Sequence, residues 1–167
     1  MHTINVPERV KLTIGKALGR VPSGVFILTV QHEGKPLAMM ASWVQQASFA
    51  LPAVSVAVAK DRPVAAALRR TGATFALSVL ADGDTPLMKK YARGLPEGTD
   101  PFEGVKTRTT ASGSIVLADA LAYLDCRVTS VCTFGGDPDL YVAEVIAGEL
   151  LRDGHSFTHV RGNGFHY

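Results

Sequence analysis

A chain of 167 residues and 17.7 kDa has the length of one domain, with roughly 8,000 Å² of surface expected when folded against roughly 26,000 Å² unfolded, enough to bury a sizeable core. Apolar residues make up 47% and charged residues 19%, which excludes the polar, highly charged signature of disorder. A net charge of +2 gives no footprint for nucleic acid, no apolar run reaches the ~18 residues of a membrane span, and the start MHTINVPERVK lacks the apolar stretch of a signal peptide. The expectation is a cytoplasmic protein with neither a nucleic-acid nor a membrane partner.

In chain order, Pro7 followed by Val10, Ile14, Ala17 and Leu18 predicts an amphipathic helix over 7–19, closed by Gly19. The β-branched run 25–30, the turn at 33–35 and the run 37–43 predict a hairpin, and 53–59 a third strand in which Val54, Val56 and Val58 alternate with small residues. Pro63 opens a short helix over 64–70 ended by Gly72, and 74–80 returns to strand. A helix over 87–93 precedes a stretch rich in Gly, Pro and Thr at 94–114, long enough to serve a site. Two long strands, 120–134 and 140–151, flank the turn at 135–139, and the tail ends in Phe165, His166 and Tyr167. Six strands with hairpin connections predict a mainly β chain closed into an antiparallel barrel, one domain over 1–167. A parallel dinucleotide-binding sheet would need a helix after nearly every strand and a Gly-rich turn after the first.

Little in this pattern offers a protein nucleophile or a metal centre. Cys126 and Cys132, six residues apart on one strand, would lie about 20 Å apart, too far for a disulfide. His155 and His159 lack the flanking Glu of a zinc helix, and nothing fixes Asp137 and Glu144 as an acid and base pair. The pairs Arg69, Arg70 and Lys89, Lys90 read as solvated helix faces. Two stretches stand out instead. The segment 39–48 places small hydroxyls, amides and Trp43 just after a strand, either as donors and a planar wall for a polar ligand or as an ordinary strand edge. The segment 59–63 brings Lys60 and Arg62 to a helix start, where a phosphate could dock or a solvated turn could lie.

Together MMASWVQQASF (39–49) and AVAKDRP (57–63) resemble the flavin-binding segment of the flavin reductase-like, FMN-binding split-barrel proteins. The likeness is closest to the flavin-reductase module at the C-terminus of cyanobacterial flavodiiron proteins, and it continues through FALSVL, PLMKKYARG, DPFEGVKT, DALAYLDCRV and HVRGNGFHY. The resemblance implies a six-stranded antiparallel split barrel with flanking helices, a homodimer, and FMN (or FAD) held without a covalent bond. Carried over by position, Ser42, Trp43, Val44 and Gln45 would line the ring and ribityl chain, with Ser48 supporting the turn. Ala59, Lys60, Asp61 and Arg62 would receive the phosphate, with Lys90 as a further candidate, and Phe102 would cover the ring or the nicotinamide.

The implied activity is hydride transfer from NAD(P)H to flavin, which needs no catalytic side chain of the protein, with a flavin-accepting oxygenase or oxidase as partner. The alternative is a non-catalytic FMN-binding electron-transfer module serving a partner oxidase; a third reading is a split barrel that binds haem or nothing. One departure bears on the choice. Many family members carry Gly-Asp-His at the turn between the last long strands, with the histidine near the nicotinamide, and this chain has Gly136, Asp137 and Pro138. The expectation is a weaker grip on NAD(P)H, with FMN binding untouched because Pro138 lies outside the two flavin-binding stretches.

Overall fold

The computed structural model describes residues 7–96, 98–160 and 162. The aromatic tail residues Phe165, His166 and Tyr167 lie outside that set. In chain order the elements are α1 (Glu8–Leu18), β1 (Ser23–Gly24), β2 (Phe26–His32), β3 (Lys35–Ala41), β4 (Val44–Ser48), β5 (Ala53–Ala59), α2 (Pro63–Leu68), β6 (Thr74–Val79), α3 (Thr85–Ala92), β7 (Thr107–Thr109), β8 (Ile115–Leu117), β9 (Ala122–Cys132), β10 (Pro138–Leu150) and β11 (Thr158–His159).

The main sheet has seven antiparallel strands in the order β3-β2-β6-β9-β10-β5-β4. That is one more than the six expected. The added strand is β4, whose sequence VQQAS reads as a turn because an edge strand with one open side needs no run of apolar residues. Strands β3 and β4 stand at opposite edges of the sheet, yet only Ser42 and Trp43 join them. The sheet therefore curls until its edges meet at that link, and beyond it the two strands diverge without pairing, which makes the barrel split.

The turn that starts the barrel is legible residue by residue. Glu33 and Gly34 both have positive φ, 50° and 75°, the geometry of the two-residue hairpin turn that matches strand twist, and glycine adopts it without a Cβ clash. Strand β2 then alternates between two cores. Leu28 and Val30 enter one with Val56, Phe75, Leu77 and Tyr141, closed over by α2 through Val64 and Leu68. Ile27, with Val25 just before the strand, enters the other with Leu80, Tyr91 and Leu117, beneath α3 and the 100s loop. Burial on both faces explains why β2 and β6 read as continuous apolar runs. Each fully buried large side chain contributes about 1.5–3 kcal/mol.

The long loop carries a small hairpin, β7 with β8, which the composition of 94–114 hid. A buried acid pins it: Asp125 Oδ1 accepts a hydrogen bond from Ser112 Oγ at 2.7 Å, and Ser112 continues to Ser114 at 3.0 Å. Next to it, burial first and the Asp125 carboxyl second push the Cys126 thiol up to about 12. Cys126 is buried and Cys132 exposed, and both are free thiols. Helix α1 forms as predicted, but its Leu12, Ile14 and Leu18 remain about half exposed.

Candidate functional site

The link Ser42–Trp43 sits at the end of β5 that leads into α2. The Ala57 N–H donates to the Trp43 carbonyl at 3.0 Å, and Val44 faces Val56 in the ladder. The candidate ring-lining stretch 42–45 and the 59–62 stretch therefore lie side by side, although thirteen residues separate them in sequence. Ser42 is buried, and Trp43 keeps 39% of its surface exposed, a planar wall open on one side.

Strand alternation divides the remaining ring candidates. Val44 and Ser48, with Gln46, line a groove of about 310 Å³ at the mouth of the split, together with Phe26, Leu124 and Val145. Gln45, one residue out of phase, points to the opposite face. Ser48 pairs with Ala53, six residues from Ala59, so it stands about 20 Å from the phosphate stretch. Its hydroxyl donates to the Ala50 carbonyl at 3.0 Å and holds the turn that displays Phe49 and Leu51 to solvent. Sequence reading missed Gln46, which the period of two along β4 would have found.

Arg62 precedes Pro63 at the start of α2, and its guanidinium reaches the end of α3, where a Cβ on Gly94 would stand 3.5 Å from Nη1. With six residues α2 has little dipole to offer, so the positive charge here resides in side chains. Asp61 is exposed in the same loop, and Ala59 is half-buried. Lys60 Nζ donates to the Gly136 carbonyl at 2.7 Å, so this cation is tied to the turn between β9 and β10. Lys90 donates to the Glu103 carbonyl and lies 5.8 Å above the Tyr91 ring. Phe102 packs against the second core, in the company of Met40 and Leu87. These two residues lie with α3, whose end Arg62 of the 59–62 stretch reaches beside Gly94.

Pro138 lies close to the candidate flavin-binding stretches, although its place in the sequence sets it far from them. It is buried at the first position of β10, paired with Ala59, and the Lys60 N–H donates to the Asp137 carbonyl at 3.3 Å. A proline is tolerated there because the start of a strand can forgo one ladder donor. The next residue, Asp139, is 3% exposed. The Tyr141 hydroxyl donates to the Ala65 carbonyl at 3.3 Å; burial first and the Asp139 carboxylate second raise its pKa, against an opposing contribution from Arg69. Glu144 is engaged by Arg127 at 2.9 Å, which separates it from any joint role with Asp137. His155 is exposed, and His159 lies in the two-residue strand β11.

A family model described as "Flavin reductase like domain" matches residues 18–164. The chain belongs to the flavin reductase-like family. Diflavin flavoprotein A 1 of Synechocystis sp. is 42% identical over 91% of this chain. The chain spans only 26% of that relative, and 29% of a second one from Nostoc sp.. Among solved structures, the Streptomyces globisporus C-1027 NADH:FAD oxidoreductase SgcE6 superposes with a TM-score of 0.81 at 27% identity, covering 93% of this chain and 91% of its own. The same enzyme in complex with NAD and FAD fragments gives 0.79 at 25%, covering 95% and 92%. A mainly β, flavin reductase-like fold follows from these likenesses. No described helix is long and apolar enough to cross a membrane.

Proposed function

We propose that this chain is a single-domain NAD(P)H-dependent flavin reductase that binds FMN without a covalent bond. The observation that carries the reading is the juxtaposition of Trp43, at the closure of the barrel, with the cationic loop of Lys60 and Arg62 at the end of β5. An aromatic wall suits a planar heteroaromatic ring, and cations one and three residues past the end of β5 suit a phosphate. The residues present fit such a ligand. Trp43 and the Ser42 turn would hold the ring, Arg62 and Lys60 the phosphate, while Phe102 and Lys90 support the far wall through α3.

Bound flavin would supply the two-electron acceptor for a hydride from reduced nicotinamide; the protein positions the two rings and excludes water. FAD remains the other flavin of choice, since the similar Streptomyces enzyme is named for NADH and FAD. Absorbance of the purified protein under anaerobic conditions, before and after NADH or NADPH, tests the activity directly.

A second reading, an FMN-binding electron-transfer module serving a partner oxidase, is favoured by two observations. Pro138 stands where many family members have histidine, and the relatives are about three and a half times as long as this chain. The same spectrum separates the readings, because a module of that kind holds flavin that NAD(P)H leaves oxidised.

A homodimer fits the exposed apolar residues around the site. Trp43, Phe49 at 88% exposure and Leu51 at 76% flank the groove, and α1 leaves an apolar stripe open. Large apolar side chains exposed beside a groove mark an interaction surface. Sedimentation should give about twice the 17.7 kDa chain mass, with flavin released on dissociation. A monomer that retains FMN would remove the interface from the site.

A further inference from the structure

The turn between β9 and β10, where this chain departs from the family pattern, is held by a buried acid. Asp139 follows Pro138 on β10, and only 5% of its side chain is exposed. Its Oδ1 accepts a hydrogen bond from Thr133 Oγ1 at 2.8 Å and lies 3.7 Å from Lys60 Nζ. Its Oδ2 lies 3.7 Å from Arg69 Nη2, at the C-terminal cap of α2. Lys60 is bound to the same turn twice more, through Nζ to the Gly136 carbonyl and through its N–H to the Asp137 carbonyl. One carboxylate thus gathers the loop after β5, the end of α2 and the turn before β10. The two cations are 34% and 57% exposed, so the acid lies beneath them and their outer sides face solvent.

We propose that Asp139 is a positioning residue for phosphate recognition: it fixes Lys60 and Arg69 with their outer faces presented, so that the turn at 133–137 and the phosphate end of the flavin site act as one unit. The inference rests on the FMN reading above. Without the acid, Lys60 keeps a single carbonyl as side-chain anchor, and its long stem regains rotamers that phosphate binding must then remove. Repulsion between the carboxylate and the phosphate works in the opposite direction. It is the weaker effect, because both cations stand between the two anions and the phosphate sits at the solvent side, where screening is strong. Coupling of this kind is reciprocal: an anion on Lys60 steadies the turn, and whatever steadies the turn favours the anion.

The test is a cycle of Asp139→Asn, Lys60→Met and the double variant in the full chain, reading FMN and riboflavin affinities by fluorescence quenching. Riboflavin lacks the phosphate, so the ratio of the two affinities isolates phosphate recognition from general damage. Asp139→Asn should lower the preference for FMN roughly tenfold. In the Lys60→Met background the same change should cost clearly less, about threefold or below, because Arg69 is then the only one of the two positioned cations left. Thr133→Val, which keeps the acid and removes one hydrogen bond, should lower the preference by a smaller factor of about two to three. An unchanged or increased FMN preference in Asp139→Asn, or losses that simply add in the double variant, would overturn the proposal. Should Asp139→Asn fail to fold, an unchanged preference in Thr133→Val overturns it equally. Wild-type protein that binds neither flavin overturns the FMN reading and this proposal with it, whereas tight FMN binding with an additive cycle sinks the positioning role alone.

Discussion

Replacing Arg62 by alanine is expected to weaken FMN by about 1.5–3 kcal/mol, roughly ten- to a hundredfold, the range for hydrogen bonds to charged groups. Arg62 is the cation that joins the two halves of the site, leaving β5 at the start of α2 and reaching the end of α3 beside Gly94. A planar guanidinium can grip phosphate with two parallel donors, which a lysine at the same position could not reproduce. Riboflavin should bind the variant almost as well as the wild type. Isothermal titration with both ligands checks this, and equal losses for FMN and riboflavin would place Arg62 in the scaffold and the phosphate elsewhere.

A second large effect is expected at alkaline pH, and it belongs to the fold. The Cys126 thiol ordinarily titrates near 9.0 and is pushed up to about 12 in the native protein, by burial first and by the Asp125 carboxyl second. Between those values the unfolded chain has released the proton and the native chain retains it, so stability falls as pH rises. The contribution is fully present below pH 9 and is lost progressively towards pH 12, on the order of 4 kcal/mol across the window. Tyr91, raised from 10.0 to about 12 by burial and by Asp100, works in the same direction. Guanidinium unfolding at pH 8 and pH 10.5 should show a clear loss in midpoint, and Cys126→Ala should reduce it. An identical pH slope in that variant would mean that Cys126 is not the source.

The periodicities that predict α1, the first hairpin and the long strands are local, and the structure places those elements within a few residues of the expected bounds. What was not legible is non-local or lies at an edge. Strand β4 hides in VQQAS because its outer side faces solvent, and only its pairing with β5 makes it a strand. The closeness of Pro138 to Ala59 follows from sheet register, which no spacing along the chain encodes. For the same reason the gathering of Lys60, Arg69 and Thr133 on Asp139 could not be read from a sequence in which Lys60 and Asp139 stand 79 positions apart. Conversely, Trp43 and Arg62 could be nominated early because each sits at the end of a strand, where residue type alone limits the chemistry.

The resemblance supplied the ligand class, and the structure supplies a reason why it fits: the barrel closes through two residues, and that closure abuts the cationic loop. The absorbance spectrum of the purified protein under anaerobic conditions, before and after NADH or NADPH, tests this account most directly. The account predicts a yellow protein whose visible flavin bands bleach on addition of at least one of the two nucleotides. Protein that stays colourless after incubation with excess FMN, or that holds flavin bleached by dithionite and by neither nucleotide, would contradict it.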